Sequence, residues 1–368
     1  MAEGLSSVRI ENVSKSFGSL QVLKSTTLEI ASGEFFSLLG PSGCGKTTLL
    51  NILGGMEIAD EGRVIIGNSD VTYLPPERRP TNMVFQSYAI FPHLSVAKNI
   101  GYGLRSRKLG REEAFRRVNR ALELVHLGGM GDRDPSELSG GQRQRVALAR
   151  ALVLEPKVLL LDESLAALDR RLREAMQTEL RELQRKVGIT FVFVTHDQDE
   201  AMAMSDRIAV MGAGGILQVA KPTELYHRPI NRQVAEFIGS INLLPVQAIS
   251  ETSDGLALNG GSLGAFFLNE TSQSGQGIPN EVPAMLALRP ESIELHSERP
   301  PETVNAIPGD VLEHVFLGDR SFLRIRVDNK TEPMIAACSK ERDWSQVAKG
   351  ERVWMIWHPR SGQLLPDA

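Results

Sequence analysis

Cysteine is scarce in this sequence, since Cys44 and Cys338 are its only two and they lie far apart. Their separation argues against a disulfide framework and favours a reducing compartment. Long apolar runs are also missing. Candidates such as Val158 to Leu161 and Ile189 to Thr195 are no longer than strands, whereas about 18–20 residues are needed to span a bilayer. If the protein works at a membrane, a partner therefore provides the membrane span.

An excess of one charge sign is missing too, because 41 basic and 45 acidic side chains leave a formal net charge of −4. This balance gives no electrostatic reason to expect a nucleic-acid partner. The sequence begins Met-Ala-Glu-Gly-Leu-Ser-Ser, without a basic region followed by an apolar core, so we expect no secretory signal. With 368 residues, the chain is long enough for two domains that each have a core.

The stretch Gly40 to Thr47 reads Gly-Pro-Ser-Gly-Cys-Gly-Lys-Thr, between an apolar run predicted as a strand and a helical pattern that begins at Thr48. It matches G-x-x-x-x-G-K-[ST] in the strand–loop–helix context that phosphate binding needs. Glycines let successive backbone N–H groups point at one anion, and the helix N-terminus adds its positive dipole end. Lys46 can then reach the β- and γ-phosphates, and Thr47 can ligate magnesium. The sequence therefore predicts a nucleoside triphosphate site.

Two carboxylates, Asp162 and Glu163, follow the apolar run Val158 to Leu161. An all-apolar strand is typical of a parallel sheet buried on both faces, and ligands bind at the carboxyl ends of such strands. Carboxylates there are costly without a cation, which favours a magnesium and water site over a structural ion pair. A second apolar strand, Thr190 to Val194, leads to His196, which we expect at the same sheet edge. Alternating strands and helices predict an α/β domain with a largely parallel sheet.

Other segments are ambiguous on their own. Met83 to Gln86 reads as a strand ending in a polar residue, and the aromatic tract Tyr88 to His93 is either local core or a partner-binding patch. Leu138 to Gln142 (Leu-Ser-Gly-Gly-Gln) precedes a helical pattern, Arg143 to Leu154, and forms either a second anion site or an ordinary serine N-cap. The region from Val96 to about Gly128 is predicted to be helical.

The character of the chain changes around Gly239 to Asn242. Beyond this point Gly, Ser and Pro are frequent, and we expect a turn or linker at Asn269 to Asn280. Short β-like runs recur at Ala284 to Leu288, Ile293 to His296, Phe322 to Val327 and Val353 to Trp357. This pattern predicts a small all-β, barrel-like domain.

The order of these motifs closely resembles the ATP-binding subunit of ATP-binding-cassette (ABC) importers. The motifs are the phosphate loop, Gln86, Leu-Ser-Gly-Gly-Gln, Asp162-Glu163, Ala167 to Asp169 (Ala-Leu-Asp) and His196. The β-rich tail resembles the regulatory barrel of the subgroup that serves sugar, polyamine, iron and sulfate importers, through Leu288 to Glu291 and Leu317 to Asp319. The resemblance implies an α/β P-loop NTPase, the ABC ATPase domain, at residues 8–238, with a helical subdomain at about 93–150. A β-rich, TOBE-like regulatory domain follows at residues 243–368.

The resemblance also implies a role for each site residue. Glu163 is the general base or water-positioning group, His196 bridges the γ-phosphate and the attacking water, and Gln86 supports catalysis. Thr47, Gln86 and Asp162 coordinate the magnesium ion, directly or through water. ATP is contacted by Phe17, Gly40, Pro41, Ser42, Gly43, Cys44, Gly45, Lys46, Thr47 and Thr48 of one subunit, Phe17 stacking on adenine, and by Ser139, Gly141 and Gln142 of the opposite subunit.

That arrangement requires a head-to-tail homodimer with two ATP molecules between the subunits. The resemblance further implies two integral-membrane permease subunits, an external solute-binding protein that acts indirectly, and a peripheral position at the cytoplasmic face of the bacterial inner membrane. We expect the aromatic tract Tyr88 to His93 and the helical region after it to grip the cytoplasmic helices of the permease.

One position departs from the family pattern, because Pro usually follows the catalytic glutamate and this chain has Ser164. Pro would fix φ and stiffen the turn that carries Glu163, whereas Ser removes that constraint. Since the carboxylates and His196 remain, we expect hydrolysis to be retained.

Within the importers, Arg79 to Gln86 and Gly188 to Gln198 look most like the spermidine/putrescine group, in framework residues and not in a substrate pocket. Sugar, ferric iron and other importers stay open as alternatives. A soluble cassette ATPase of translation or DNA repair is disfavoured because the chain has one uninterrupted cassette. A small-molecule kinase would not explain Leu-Ser-Gly-Gly-Gln or His196.

Overall fold

The computed structural model describes residues 6–107, 109–165, 169–269, 284–301, 305–318, 320–338, 344 and 347–366. The chain divides into two compact units, Met1–Pro222 and Thr223–Ala368. Within the described ranges, no helix is long and apolar enough to cross a membrane. Three sequence predictions fall partly outside these ranges: the Ala-Leu-Asp tract apart from Asp169, the Leu317 to Asp319 tract at Asp319, and the turn at Asn269 to Asn280 beyond Asn269.

The first unit contains two sheets and a set of helices. Its strands are β1 (Val8–Phe17), β2 (Leu20–Ile30), β3 (Phe35–Leu39), β4 (Glu61–Ile66), β5 (Ser69–Asp70), β6 (Thr81–Val84), β7 (Val158–Asp162), β8 (Thr190–Thr195), β9 (Arg207–Gly212) and β10 (Gly215–Ala220). Its helices are α1 (Lys46–Gly54), α2 (Val96–Ile100), α3 (Arg111–Leu124), α4 (Gly140–Leu152), α5 (Arg170–Val187) and α6 (Gln198–Met204).

An antiparallel sheet of order β2-β1-β4-β5 forms the beginning of the first unit. β1 and β2 are long strands, of 10 and 11 residues. Their pairing continues past Ile10 through register shifts, so the two strands form one long, irregular ribbon. A turn at Gly18 joins them, with a φ of 61° that favours glycine.

The second sheet has the order β10-β9-β3-β8-β7-β6 and is parallel except for the β9–β10 pair. The prediction of a largely parallel sheet is therefore confirmed. Successive residues of its central strands point to opposite faces, and both faces are buried. In β7, Leu159 and Leu161 pack in one core cluster with the helices, whereas Val158 and Leu160 pack in another with the antiparallel sheet. Burial on both faces explains why this strand has no polar residue before Asp162.

Two predicted boundaries shift by a few residues. The strand predicted at Met83 to Gln86 runs from Thr81 to Val84, so Gln86 lies in the loop after β6. The helix predicted at Arg143 to Leu154 begins at Gly140, because Ser139 caps its N-terminus. The region predicted to be helical after Val96 contains α2, α3 and a 3₁₀ turn at Gly101–Ser106.

The second unit is all-β apart from α7 (Pro222–His227), α8 (Arg232–Phe237) and short 3₁₀ turns in its described residues. Its strands are β11 (Asn242–Val246), β12 (Ala248–Thr252), β13 (Gly255–Asn259), β14 (Ala265–Asn269), β15 (Ala284–Leu288), β16 (Ile293–His296), β17 (Ala306–Phe316), β18 (Ser321–Arg326), β19 (Met334–Ala337), β20 (Arg352–Trp357) and β21 (Gly362–Pro366).

These strands form three antiparallel sheets, of orders β11-β15-β21, β12-β13-β14 and β16-β20-β17-β18-β19. The outer strands of the last sheet, β16 and β19, approach each other to within 8 Å between Cα atoms, so that sheet curls. One core cluster gathers residues from all three sheets, including Leu244, Leu258 and Trp357. The prediction of an all-β, barrel-like domain is confirmed.

Candidate active site

The predicted phosphate loop joins β3 to α1. Gly43 and Gly45 have φ angles of 82° and 100°, in the left-handed region that other residues rarely adopt. A Cβ on Gly45 would lie 2.6 Å from Leu23 Cδ2, so only glycine fits at this position of the loop. α1 begins directly after Gly45, and no described side chain caps it. Its first backbone N–H groups are therefore available to an anion.

Lys46 is buried at the start of α1, and its ammonium group turns back into the loop. Its Nζ donates to the carbonyl oxygens of Gly40 and Pro41, at 2.8 and 2.9 Å, and lies 3.8 Å from Cys44 Sγ. The lysine charge is thus held against the backbone at the start of the loop. The remaining predicted loop residues take their positions around it, with Pro41, Ser42, Gly43 and Thr47 exposed, Thr48 half-buried and Gly40, Cys44 and Gly45 buried.

Thr47 and Asp162 meet across the sheet edge. Thr47 Oγ1 donates to Asp162 Oδ1 at 3.5 Å, which joins the start of α1 to the end of β7. Burial raises the pKa of the Asp162 carboxyl, the charge of Glu163 adds to that rise, and Thr47 and Lys46 oppose it. A hydroxyl and a carboxylate are the hard oxygen ligands that magnesium prefers, so these residues fit that ion.

Three predicted catalytic side chains converge from the ends of three neighbouring strands. His196 Nδ1 lies 3.1 Å from Glu163 Oε1, and Gln86 Nε2 donates to Glu163 Oε2 at 3.4 Å. Glu163 itself has a φ of 43°, a strained value for a residue other than glycine, and its N–H donates to the carbonyl of Val194. The sheet edge therefore places one carboxylate between an amide and an imidazole.

Ser139, Gly141 and Gln142 lie at the start of α4. Ser139 Oγ accepts from the N–H of Gln142 at 3.3 Å, and Gln142 Oε1 accepts from the N–H of Ser139 at 3.0 Å. This reciprocal capping box is the ordinary N-cap that the sequence left as an alternative. In the described part of the chain, no hydrogen bond joins these three residues to the phosphate loop or to Glu163.

Phe17 lies at the end of β1 with 49% of its surface exposed. The Nζ atom of Lys15 lies 5.3 Å from the centroid of the Phe17 ring, and Lys15 is itself paired with Glu57 and Asp60. An aromatic ring with so much exposed surface is available for stacking on a flat partner.

The aromatic tract is divided between core and surface. The sequence left Tyr88 as either local core or partner-binding patch, and we expected it to help grip the permease. Tyr88 is only 7% exposed and belongs to the core cluster around α4, so the expectation of an exposed patch is wrong for this residue. Phe91 is half-buried, with its ring 4.6 Å from the ring of Tyr102. Near this tract, Phe85 and Tyr102 are more exposed than Tyr88, at 39% and 44%. Periodicity could not separate these residues because the tract belongs to no helix or strand.

Ser164, the position that departs from the family pattern, is 1% exposed. Its Oγ has no hydrogen-bond partner among the described residues. The last residue of the Ala-Leu-Asp tract, Asp169, caps α5 by accepting from the N–H of Leu172 at 3.0 Å.

A glycine-rich loop with a buried lysine, leading into a helix and touching a carboxylate at the edge of a parallel sheet, is typical of a P-loop nucleoside triphosphatase. The family model described as ABC transporter matches residues 23–166, and the model described as TOBE domain matches residues 286–365. Together with the relatives below, these matches show that the chain belongs to the ATP-hydrolysing proteins of the ABC transporter family. The predictions of fold class and family are confirmed.

Relatives match over nearly the whole chain. The spermidine/putrescine import ATP-binding protein PotA of Thermobifida fusca is 45% identical over 371 residues, covering 99% of this chain and 94% of its own. The Fe(3+) ions import ATP-binding protein FbpC of Brucella abortus is 46% identical over 323 residues, 88% of each chain. Among solved structures, cbiO1 from Clostridium perfringens, part of the ABC transporter complex cbiONQ, is 31% identical with a TM-score of 0.56, covering 59% of this chain and 89% of its own.

Proposed function

We propose that this chain hydrolyses ATP to energise an importer, with Glu163 as the general base or water-positioning group. The observation that carries the proposal is the convergence of His196 Nδ1 and Gln86 Nε2 on the two carboxylate oxygens of Glu163, at 3.1 and 3.4 Å. A carboxylate bracketed in this way offers a fixed geometry to a water that attacks the γ-phosphate. Phosphoryl transfer depends mainly on such positioning and on electrostatic stabilisation.

The nucleotide would bind along the phosphate loop. Lys46 and the N–H groups of the loop would bind the β- and γ-phosphates, and the exposed ring of Phe17 would stack on adenine. A short move of the Lys46 ammonium from the carbonyls of Gly40 and Pro41 would carry its charge to the phosphates.

Magnesium fits the pair formed by Thr47 and Asp162, with Gln86 nearby through its contact with Glu163. When bound, the ion would neutralise phosphate charge. The raised pKa of Asp162 supports this assignment, because burial leaves that carboxylate short of compensating charge.

We further propose that two copies of the chain form a head-to-tail dimer, in which Ser139, Gly141 and Gln142 contact the γ-phosphate bound by the other copy. In the described residues of one chain, these groups have no hydrogen bond to the phosphate loop, which is compatible with a role across an interface. ATP would favour the closed dimer by binding it better than the open one, and hydrolysis would release it.

The domains and partners follow from the same proposal. Residues 8–238 would form the ATP-binding domain, with a helical subdomain at about 93–150, and residues 243–368 a regulatory domain. Two membrane permease subunits would receive the conformational change, and an external solute-binding protein would deliver the cargo to them. The chain would lie at the cytoplasmic face of the inner membrane, with Phe91 to His93 of the aromatic tract contributing to the permease contact.

For the cargo we propose polyamines, since the relatives over nearly the full chain include spermidine/putrescine import ATP-binding proteins. Ferric iron is the second candidate, because a relative of similar identity is named for Fe(3+) import. The permease and the binding protein, not this chain, would select between them.

Affinity capture of the tagged chain from mildly solubilised native membranes tests the proposal. We expect two permease subunits, with a polyamine-binding protein encoded nearby or co-purifying. Recovery of ribosomes or repair factors without a membrane protein would contradict the importer role while leaving the ATPase site untouched.

Uptake then separates the two cargoes. Cells carrying the wild-type chain should take up labelled spermidine, whereas cells carrying Glu163→Gln should assemble the same complex and take up none. Uptake of ferric iron but not of spermidine would overturn the polyamine assignment alone.

A further inference from the structure

Tyr88 connects the loop that carries Gln86 to the turn that carries Glu163. Its side chain is buried in the core, and its hydroxyl donates to the backbone carbonyl of Ser164 at 3.1 Å. Ser164 directly follows Glu163, and Tyr88 lies two residues after Gln86. One buried hydroxyl thus ties the backbones next to both side chains.

The backbone at Tyr88 is held in an unusual conformation. Tyr88 and Ala89 have φ angles of 61° and 44°, both in the left-handed region. Arg150 of α4 donates to the carbonyls of Tyr88 and Ala89, both at 2.7 Å, and its guanidinium lies 5.3 Å from the centroid of the Phe91 ring. A rigid fork of donors across two successive carbonyls stabilises this strained pair and so fixes where the tyrosine ring enters the core.

Few other hydrogen bonds join the loop after β6 to the loop after β7 in the described residues. Beyond the last residue pair of β6 and β7, two hydrogen bonds join the described residues of the two loops: Gln86 to Glu163, and Tyr88 to Ser164. The first is 3.4 Å long and exposed, outside the usual 2.7–3.2 Å range, so it restrains the loops weakly. The second is shorter and buried, where a hydrogen bond is least exchanged with water.

We propose that Tyr88 is a positioning residue for hydrolysis, which sets the separation of Gln86 and Glu163 through its hydroxyl. This inference rests on the proposed role of Glu163. The Tyr88 side chain lies in the core cluster and its hydroxyl binds the Ser164 carbonyl, so it acts through the two loops that it joins. Arg150 supports Tyr88 from α4, the helix that Ser139 caps, so Tyr88 links that helix to the turn that carries Glu163.

Tyr88→Phe tests the inference, because it removes the hydroxyl and keeps the buried ring. In steady-state hydrolysis of Mg²⁺-ATP by the full chain, we expect kcat to fall about fivefold, the scale of one net hydrogen bond, with KM for ATP within twofold of wild type. The matched control is Tyr73→Phe, whose ring is 78% exposed, and its kcat should equal that of wild type.

A double-mutant cycle with Gln86→Ala separates positioning from general structure. If Tyr88 acts by placing Gln86 against Glu163, Tyr88→Phe should lower kcat less than twofold in the Gln86→Ala background. A merely structural role would lower kcat equally in both backgrounds. An unchanged kcat for Tyr88→Phe, or equal losses in both backgrounds, would overturn the inference. A wild-type chain without Mg²⁺-ATP hydrolysis, or a Glu163→Gln chain as active as wild type, would overturn the proposed function instead.

Discussion

Two helices of the first unit, α1 and α4, both begin at segments that contain glycine, but only α4 has a side-chain hydrogen bond to its first backbone N–H groups. α1 follows a glycine-rich loop, with Gly45 as its N-cap at a φ of 100° and no side-chain cap. α4 follows Leu138 and Ser139, and Ser139 and Gln142 cap each other reciprocally. Both segments were candidate anion sites in the sequence. The structure leaves the N–H groups of α1 open to an anion and occupies one at α4 with a side chain of its own.

This difference separates two kinds of phosphate contact. An uncapped helix start with a buried lysine beside it is preorganised for phosphate. A capped start must exchange its internal hydrogen bonds for phosphate oxygens, so binding there is partly offset by the loss of the cap. We therefore expect the affinity of one chain for ATP to come from α1, and α4 to contribute when a second copy presents its nucleotide.

The largest expected effect is at α1. Lys46→Ala should lower ATP affinity about 100-fold, because it removes a charge-assisted contact with the phosphates. Isothermal titration calorimetry measures the change. Lys24→Ala, at an exposed lysine of β2, is the control and should bind ATP like wild type. Equal ATP affinities for Lys46→Ala and Lys24→Ala would show that the start of α1 is not a preorganised phosphate site.

The glycines of the two helix starts should differ in stability. Gly45→Ala places a Cβ 2.6 Å from Leu23 Cδ2 at a left-handed φ, and should lower the free energy of unfolding by about 2 kcal/mol. Gly141→Ala places a Cβ 3.2 Å from Leu172 Cδ1, the far end of a flexible side chain, within a helix that favours alanine. It should change the free energy by less than about 1 kcal/mol. Urea unfolding of both variants is the measurement, and equal losses would contradict the comparison.

Removal of the N-cap of α4 should lower both stability and turnover. Ser139→Ala should cost about 1 kcal/mol of stability through the lost cap, and about tenfold in turnover through the lost phosphate contact, with ATP affinity unchanged. Ser95→Ala removes a similar N-cap from α2, where Ser95 Oγ accepts from the N–H of Lys98. It should lower stability without lowering turnover. If both variants hydrolyse ATP at the wild-type rate, Ser139 is only a cap.

The smallest expected effect is at Ser164. Ser164→Pro removes a buried hydroxyl that has no described partner and restricts the unfolded chain, so stability should rise by about 1 kcal/mol. Turnover should stay level or rise, because a stiffer turn carries Glu163. Thermal unfolding and hydrolysis assays are the measurements, with Ser164→Ala separating the loss of the hydroxyl from the restriction of φ. A large loss of turnover in Ser164→Pro alone would show that the turn needs its present conformation.

Much of the site could be predicted from sequence because strand ends of a parallel sheet meet at one edge. Asp162 follows an all-apolar run, and His196 comes two residues after the strand predicted at Thr190 to Val194, so the sequence predicted both at that edge. The burial of both faces of β7 could also be predicted from the sequence, because every residue of that strand before Asp162 is apolar.

The rest depended on tertiary packing. The burial of Tyr88 and its contact with Ser164 join residues 76 positions apart in the sequence, and no local pattern encodes that distance. The capping box at Ser139 and Gln142 was compatible with the sequence, but so was an open anion site. Only the side-chain conformations decide between them.

The central claim is that Glu163 drives hydrolysis of ATP bound at the phosphate loop. The most direct measurement compares ATP binding and Mg²⁺-ATP turnover in wild type and Glu163→Gln, a change that keeps the shape of the side chain and removes its charge. We predict equal ATP affinity and a loss of turnover of at least about 100-fold, the scale of a lost general base. Turnover at the wild-type level in Glu163→Gln, with ATP bound normally, would contradict the account.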